Sequence, residues 1–176
     1  MAVVGDGPFG ILLSWLAAAA GADPLFLLGH HDERLRRARS RGVRTLDTRT
    51  CDPAPAVLAA TGGGGCDVLV DASGNIAALG GYFADLLGPR GTLVLFSGLR
   101  GQPKFDFAAL QRQEQAIVGS ARSLHLFPAA LQVLADRAFG AADLITHVIG
   151  LDEVVEGFRI MREDREHSLK VVVTVS

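Results

Sequence analysis

The sequence predicts an α/β fold, a doubly wound parallel sheet (Rossmann fold) with helices on both faces. Three observations carry that reading. Short, almost uninterrupted apolar runs alternate with stretches of helical spacing along the whole chain, as strands buried on both faces do. The first run ends in Gly5-Asp6-Gly7-Pro8-Phe9-Gly10, a G-x-G-x-x-G between a strand and a helix. Parallel strands joined by helices cross over with a right hand, which winds the sheet outward from its first strand.

The elements follow in order. Ala2-Val3-Val4 is a clipped strand, and Pro8 to Ala20 a helix with its proline in the first turn, where a missing N–H costs nothing. Leu25 to Leu28 is the second strand; Asp32 to Arg41 is a helix that starts at an Asp cap and carries several arginines. Val43 to Leu46 is the third strand, Pro55 to Ala60 a short helix, and Cys66 to Asp71 the fourth strand. A helix over Ile76 to Leu87 leads to a fifth strand at Thr92 to Phe96. Gly98 to Gln113 is looser, with a helical turn at Phe107 to Leu110, and Ala116-Ile117-Val118 is the sixth strand. A helix from Pro128 to Ala138, an extended Leu144 to Ile149, a helix from Asp152 to Met161 and a strand from Leu169 to Val175 complete the chain.

At 176 residues the chain has the size of one domain, 1–176. Hydrophobic residues at 49% and charged residues at 20% exclude a disordered or collagen-like chain. A formal charge of −2 gives no general attraction for nucleic acid. Two cysteines, Cys51 and Cys66, supply neither a disulfide framework nor a four-ligand zinc site, and they fit a reducing cytoplasm. Phe9 to Gly29 has the length of a membrane span, but Gly21-Ala22-Asp23-Pro24 interrupts it. A buried helix followed by a buried strand explains it, and no membrane partner is expected.

In the glycine loop, Gly5 makes the tight turn, Gly7 lets a pyrophosphate approach the backbone, and Gly10 lets helix and strand pack. The helix N-terminus adds free N–H groups and a partial positive charge. The competing reading is a purely structural glycine turn. NAD-binding folds place an Asp or Glu about 20 residues on, at the end of the second strand, to bind the ribose hydroxyls. Here the strand ends in Gly29, followed by His30, His31, Asp32, Glu33 and Arg34. A bare glycine with His30, His31 and Arg34 nearby removes a repulsive carboxylate and leaves donors for a 2′-phosphate, which favours NADP over NAD. On this reading, Gly29→Asp should restore the acid and reverse the preference.

Asp71-Ala72-Ser73-Gly74 and Phe96-Ser97-Gly98 close the fourth and fifth strands, whose carboxyl ends face the ligand crevice of an open parallel sheet. Small residues there let a flat cofactor lie against the backbone; otherwise they are strand-to-loop punctuation. Tyr82 is the only tyrosine, and Leu86 stands where a Tyr-x-x-x-Lys pair would need its lysine. No Gly-x-Ser-x-Gly elbow and no Cys/His cluster with metal-ligand spacing is present. His125 and His147 read as structural.

The order of motifs resembles the cofactor-binding half of a medium-chain dehydrogenase/reductase, the zinc-type alcohol dehydrogenase family. Gly5 to Gly10 resembles its Gly-x-Gly-Pro-x-Gly variant, Cys66 to Gly74 its fourth strand and turn, and Leu87 to Leu95 its approach to strand five. Leu144 to Ile149, Val155 to Phe158 and Lys170 to Val173 are similar to its C-terminal end. The resemblance implies that Gly5, Gly7, Pro8, Phe9 and Gly10 line the pyrophosphate, with Phe9 toward the nicotinamide. It implies that Gly29, His30 and Arg34 stand by the adenosine ribose, that Ser73, Phe96, Ser97 and Gly98 run along the cofactor, and that Lys170 lies near the pyrophosphate.

Family members place a substrate- and zinc-binding domain before this half, and nothing in the chain corresponds to it. The segment from about 151 to 176 resembles the part that folds back onto that domain. The resemblance therefore implies an NADP-binding domain (alternatively NAD-binding) of an oxidoreductase acting on a carbonyl or alcohol. It implies no catalytic residue and no zinc in this chain, and a catalytic half supplied by another chain or lost. A homodimer through the sixth strand is also implied. The alternatives are a nucleotide-binding sensor or remnant module without turnover and, more weakly, a methyltransferase.

Overall fold

A computed structural model describes residues 1–75, 81–82, 85–98, 106–122 and 125–175. The chain divides into two compact units, Met1–Ser120 and Ala121–Ser176.

The first unit is built on β1 (Ala2–Val4), α1 (Pro8–Ala19), β2 (Phe26–Gly29), α2 (Asp32–Arg39) and β3 (Arg44–Asp47). It continues with α3 (Pro53–Ala60), β4 (Cys66–Asp71), β5 (Leu87–Leu95), α4 (Phe107–Arg112) and β6 (Ala116–Gly119). The six strands form one parallel sheet in the order β3-β2-β1-β4-β5-β6. The chain winds one way from β1 to β3, then returns to set β4 on the other side of β1. All strands run in one direction, so the carboxyl ends of β1, β2, β4 and β5 share one edge. The reversal of strand order between β1 and β4 lies at that edge, where open α/β sheets take their ligands.

Burial explains why these residues are strands. Val3, Leu27, Leu69 and Leu93 lie fully buried in β1, β2, β4 and β5; Leu69 and Leu93 share one apolar cluster with Ala2, Val4, Phe26, Leu28, Val57 and Leu86. α1 buries Gly10, Ile11, Ser14 and Trp15, one face at helical spacing. Its twelve residues span about 18 Å. Among the described residues no helix is long and apolar enough to cross a membrane.

Some element boundaries differ from the sequence reading, for physical reasons. β5 begins at Leu87 because Cys66 pairs with Leu87 and Val68 with Thr92, so Gly88 to Gly91 bulge from the ladder. The bulge needs its glycines. A Cβ on Gly88 would strike the Gly64 carbonyl, and one on Gly91 would lie 2.9 Å from the Cys66 oxygen. Asp32 is the first residue of α2 rather than its cap; His31 precedes it with no side-chain cap bond. The Asp32 carboxylate instead accepts from Arg49 at 2.7 Å. The helix expected over Ile76 to Leu87 falls largely outside the described residues.

The second unit holds α5 (Phe127–Ala135), a 3₁₀ turn at Ala141–Leu144, β7 (His147–Gly150), a 3₁₀ turn at Leu151–Glu153, α6 (Val154–Glu163) and β8 (Val171–Thr174). β7 and β8 form their own two-stranded parallel sheet. Gly157 lets α6 approach that sheet, since a Cβ there would lie 2.5 Å from the end of the Ile149 side chain.

Leu69 stands at the centre of the six-stranded sheet with no exposed surface. Leu69→Ala should destabilise the fold by about 2–5 kcal/mol. A lowered urea midpoint is the expected readout, and an unchanged one would contradict this placement of the core.

Candidate functional site

The glycine loop lies at the carboxyl end of β1, and Gly5 and Gly10 each have a distinct local reason. Gly5 has φ +110°, and a Cβ there would sit 2.8 Å from the Ser73 backbone nitrogen. Its own N–H donates to the Leu28 carbonyl at 2.8 Å. A Cβ on Gly10 would collide with the Gly5 carbonyl oxygen, so α1 can approach the loop only without a side chain there. Gly7 is different: a Cβ would meet nothing within 4 Å. Among the described residues nothing fills that space.

Gly7 is also the N-cap of α1, and Pro8 occupies the first turn. No side chain caps the helix and no acid stands in its first turn. The positive end of the helix dipole is thus left to whatever lies over Gly7. Phe9 is 61% exposed beside the loop. Its ring meets that of Phe96 edge-on, with centroids 5.7 Å apart.

Two buried carboxylates brace the edge. Asp71, fully buried at the end of β4, accepts from the Ser73 hydroxyl at 2.7 Å and the Ser97 hydroxyl at 2.6 Å. Its backbone oxygen takes the Phe96 and Ser97 N–H groups, both at 3.1 Å. The ends of β4 and β5 are thereby fixed to each other.

Asp6, within the glycine loop, is only 4% exposed. Its Oδ2 accepts the N–H groups of His30 at 2.6 Å and His31 at 2.7 Å. Its Oδ1 lies 3.0 Å from His31 Nδ1 and 3.9 Å from the Arg34 guanidinium. An ionised carboxylate only accepts, so the His31 Nδ1 carries the proton of that bond. Burial pushes the Asp6 carboxyl up, but the N–H groups of His31 and His30 and the His31 ring outweigh it and hold it below its ordinary 3.8.

Asp6 also sets the space over Gly29. A Cβ on Gly29 would overlap the Asp6 side chain, lying 2.6 Å from its Cγ. The expectation that Gly29→Asp alone restores a strand-end acid is therefore corrected, because Asp6 already fills that place. Beyond Gly29, Thr48 donates to its carbonyl through N–H and hydroxyl, at 2.9 and 3.1 Å. Thr48, Arg49, Thr50, Cys51, Asp52, Pro53 and Tyr82 line an open hollow of about 430 Å³. Arg49 on its rim holds the Asp47 carboxyl down at about 2.

Of the residues singled out in the sequence, Gly5, Gly7, Pro8, Phe9, Gly10, Gly29, His30, Arg34, Ser73, Phe96, Ser97 and Gly98 all lie in the first unit, at the carboxyl ends of its strands. Lys170 belongs to the second unit, where its backbone exchanges hydrogen bonds with Thr146. Sequence reasoning passed over Asp6, Asp71 and Arg49. For Asp6 a signal existed: an acid inside the glycine loop coincides with the missing acid at Gly29.

The zinc-binding dehydrogenase family model matches residues 8–136. The chain belongs to the zinc-binding dehydrogenase family. L-Threonine 3-dehydrogenase of Bacillus subtilis is 29% identical over 171 residues, covering 92% of this chain and 47% of that protein. The crystal structure of 2R,3R-butanediol dehydrogenase from Bacillus subtilis superposes with a TM-score of 0.89 at 26% identity, over 99% of this chain and 50% of that one. A short chain alcohol dehydrogenase from E. coli CFT073, complexed with cofactor NADH, shares the fold with a TM-score of 0.88 at 20% identity, over 99% of this chain and 52% of that one. The chain spans about half the length of the relatives it matches.

The residues of this family member do not fit a zinc centre of the cysteine and histidine type. Cys66 is buried in the apolar core and Cys51 is exposed elsewhere. Among the described residues, Asp6, His30 and His31 alone bring three potential ligand atoms within 4.8 Å of one another. That carboxylate, however, is already bound to two backbone N–H groups and a ring nitrogen.

The lowered Asp6 carboxyl has a consequence for stability. Its contribution is fully present above about pH 3.8 and is lost as the pH falls through the lower folded value. Acid unfolding of Asp6→Asn should therefore be flatter below that pH than the wild type's. Superimposable acid branches would contradict the buried bridge.

Proposed function

We propose that the chain is the cofactor-binding half of an oxidoreductase, binding NADP(H) in preference to NAD(H) for hydride transfer with a carbonyl or alcohol. The observation that carries this reading is the unfilled space over Gly7, at an uncapped helix N-terminus beside the strand reversal. Family membership and the dehydrogenase names of the relatives support it.

The bound dinucleotide would supply the hydride; the protein's part is to hold and orient it. Gly5, Gly7, Pro8 and Gly10 would hold the pyrophosphate against the α1 N–H groups. Phe9 and Phe96, already in edge-on contact, would form an apolar wall on the nicotinamide side, with Ser73, Ser97 and Gly98 along the cofactor. Gly29, His30 and Arg34 would receive the adenosine ribose and its 2′-phosphate. Substrate groups would come from a separate catalytic chain or segment, so this chain by itself should turn over little or nothing. Two free cysteines suit a reducing cytoplasm as its place of work.

We also propose a homodimer through β6. β6 is the last strand of the sheet, and Val118 is 48% exposed on it. An open, apolar edge with little charge is a template for pairing with a second copy.

Gly7→Val puts a branched side chain into space the protein leaves empty, so the fold should survive. Affinity for a nicotinamide dinucleotide should fall more than tenfold, about 1.4 kcal/mol or more. Unchanged binding by calorimetry, in a variant with wild-type circular dichroism, would refute the loop assignment.

For the dimer, light scattering at micromolar concentration should give twice the chain mass. Ile117→Lys or Val118→Pro should shift it toward one chain. A wild-type mass of one chain would rule the interface out.

A further inference from the structure

The geometry points to Asp6 as a specificity-determining residue: it occupies the place of a strand-end acid at position 29 and keeps its carboxylate bonded to the protein, leaving the ribose end open to a 2′-phosphate. The inference rests on the dinucleotide reading and deepens it.

Selection of NAD at this kind of site depends on an acid at the end of the second strand, which accepts from the ribose hydroxyls and repels a phosphate. In this chain the strand ends in Gly29. The carboxylate near that place comes from the phosphate loop instead. Its Oδ2 is taken by the His30 and His31 N–H groups, and its Oδ1 faces His31 Nδ1 with the Arg34 guanidinium beyond. With 4% of the residue exposed, little of the carboxylate is left for a ribose hydroxyl. Its charge is also met at short range by groups that donate to it.

The two possible acids exclude each other by volume. A Cβ at position 29 would overlap Asp6 at Cβ, Cγ and Oδ2. Cβ is not the free end of a flexible side chain, so relief would need the loop backbone to move. Gly29 is thus a bare strand end that Asp6 enforces. The same stroke that ties the phosphate loop to β2 removes the acid that would select NAD.

The test is a cycle of the full chain with Asp6→Ala, Gly29→Asp and the double variant. Dissociation constants for NADP and NAD are read by calorimetry, and melting temperatures without ligand. The wild type should prefer NADP by roughly tenfold or more. Gly29→Asp alone should melt lower and lose roughly tenfold for both cofactors. The double variant should recover the melting loss and move the NADP-to-NAD ratio by roughly a hundredfold toward NAD. That ratio is a readout a merely structural Asp6 would not move. Where Asp6→Ala fails to fold, Asp6→Ser takes its place in the cycle.

A Gly29→Asp chain as stable as the wild type and selective for NAD would overturn the inference. So would a double variant that keeps the NADP preference, or a wild type that binds NAD more tightly. A wild type that binds neither dinucleotide would overturn the functional reading itself. The melting cycle would then still decide whether Asp6 and a side chain at position 29 exclude one another.

Discussion

The Asp6 carboxylate is the constraint on which the rest of the site depends. It is an acid inside a loop that otherwise consists of glycines, a proline and a phenylalanine, and it is buried. Burying a charge costs several kcal/mol unless it is met by donors. Two backbone N–H groups and a histidine ring meet it here, all from the start of the β2–α2 connection. The loop after β1 is therefore tied to the loop after β2, and Gly5, Gly7 and Gly10 are held in the conformations that leave the α1 N-terminus clear. The glycines supply the permission to take that shape. Asp6 supplies the attachment.

Much of the architecture was legible in the sequence because a parallel sheet buried on both faces imposes a simple pattern. Val3, Leu27, Leu69 and Leu93 each sit in an apolar run short enough to be a strand, and each is buried. The glycine loop was legible for a similar reason: the local requirements of Gly5 and Gly10 leave a fixed spacing. Less legible was anything set by a contact between distant residues. The early start of β5 depends on Gly88 passing under the Gly64 carbonyl, a closeness that only folding creates. Asp32 reads as a cap from local sequence, but Arg49 engages it from the end of β3. Gly29 is visible in the sequence as a missing side chain at the strand end. That Asp6 fills the gap depends on the pairing of β1 with β2, which places residues 6 and 29 side by side.

The two units differ in how they close their apolar surface. The first gathers its strands around one core, from Ala2 and Phe26 to Leu87 and Leu93. The second leaves Leu126, Phe127, Leu131 and Leu134 exposed on or beside α5, and Val155, Phe158 and Met161 exposed on α6. Clusters of exposed large apolar side chains on soluble proteins mark surfaces that meet something else. On α6, Arg159 pairs with Glu156 and Glu163 at helical spacing. These exposed pairs contribute little to stability. The helix is defined, but its apolar face is not covered by its own unit alone.

Asp71 repeats the logic of Asp6 on the other side of the strand reversal. It too is a buried carboxylate at a carboxyl strand end, and it too is met by donors from a neighbouring loop, here the Ser73 and Ser97 hydroxyls. One acid fastens the loop after β1 to the end of β2; the other fastens the end of β4 to the end of β5. At the same edge stands Gly7, where a Cβ would meet nothing within 4 Å among the described residues. A ligand entering there meets walls whose loops are already fixed, so little ordering remains to oppose binding. The carboxylates that fix those loops are met by N–H and O–H groups of the protein itself. An acid with a free oxygen at either place would itself neutralise the positive end of the α1 dipole and compete there with any other anion. The same two residues thus join the loops and strand ends that border the strand reversal.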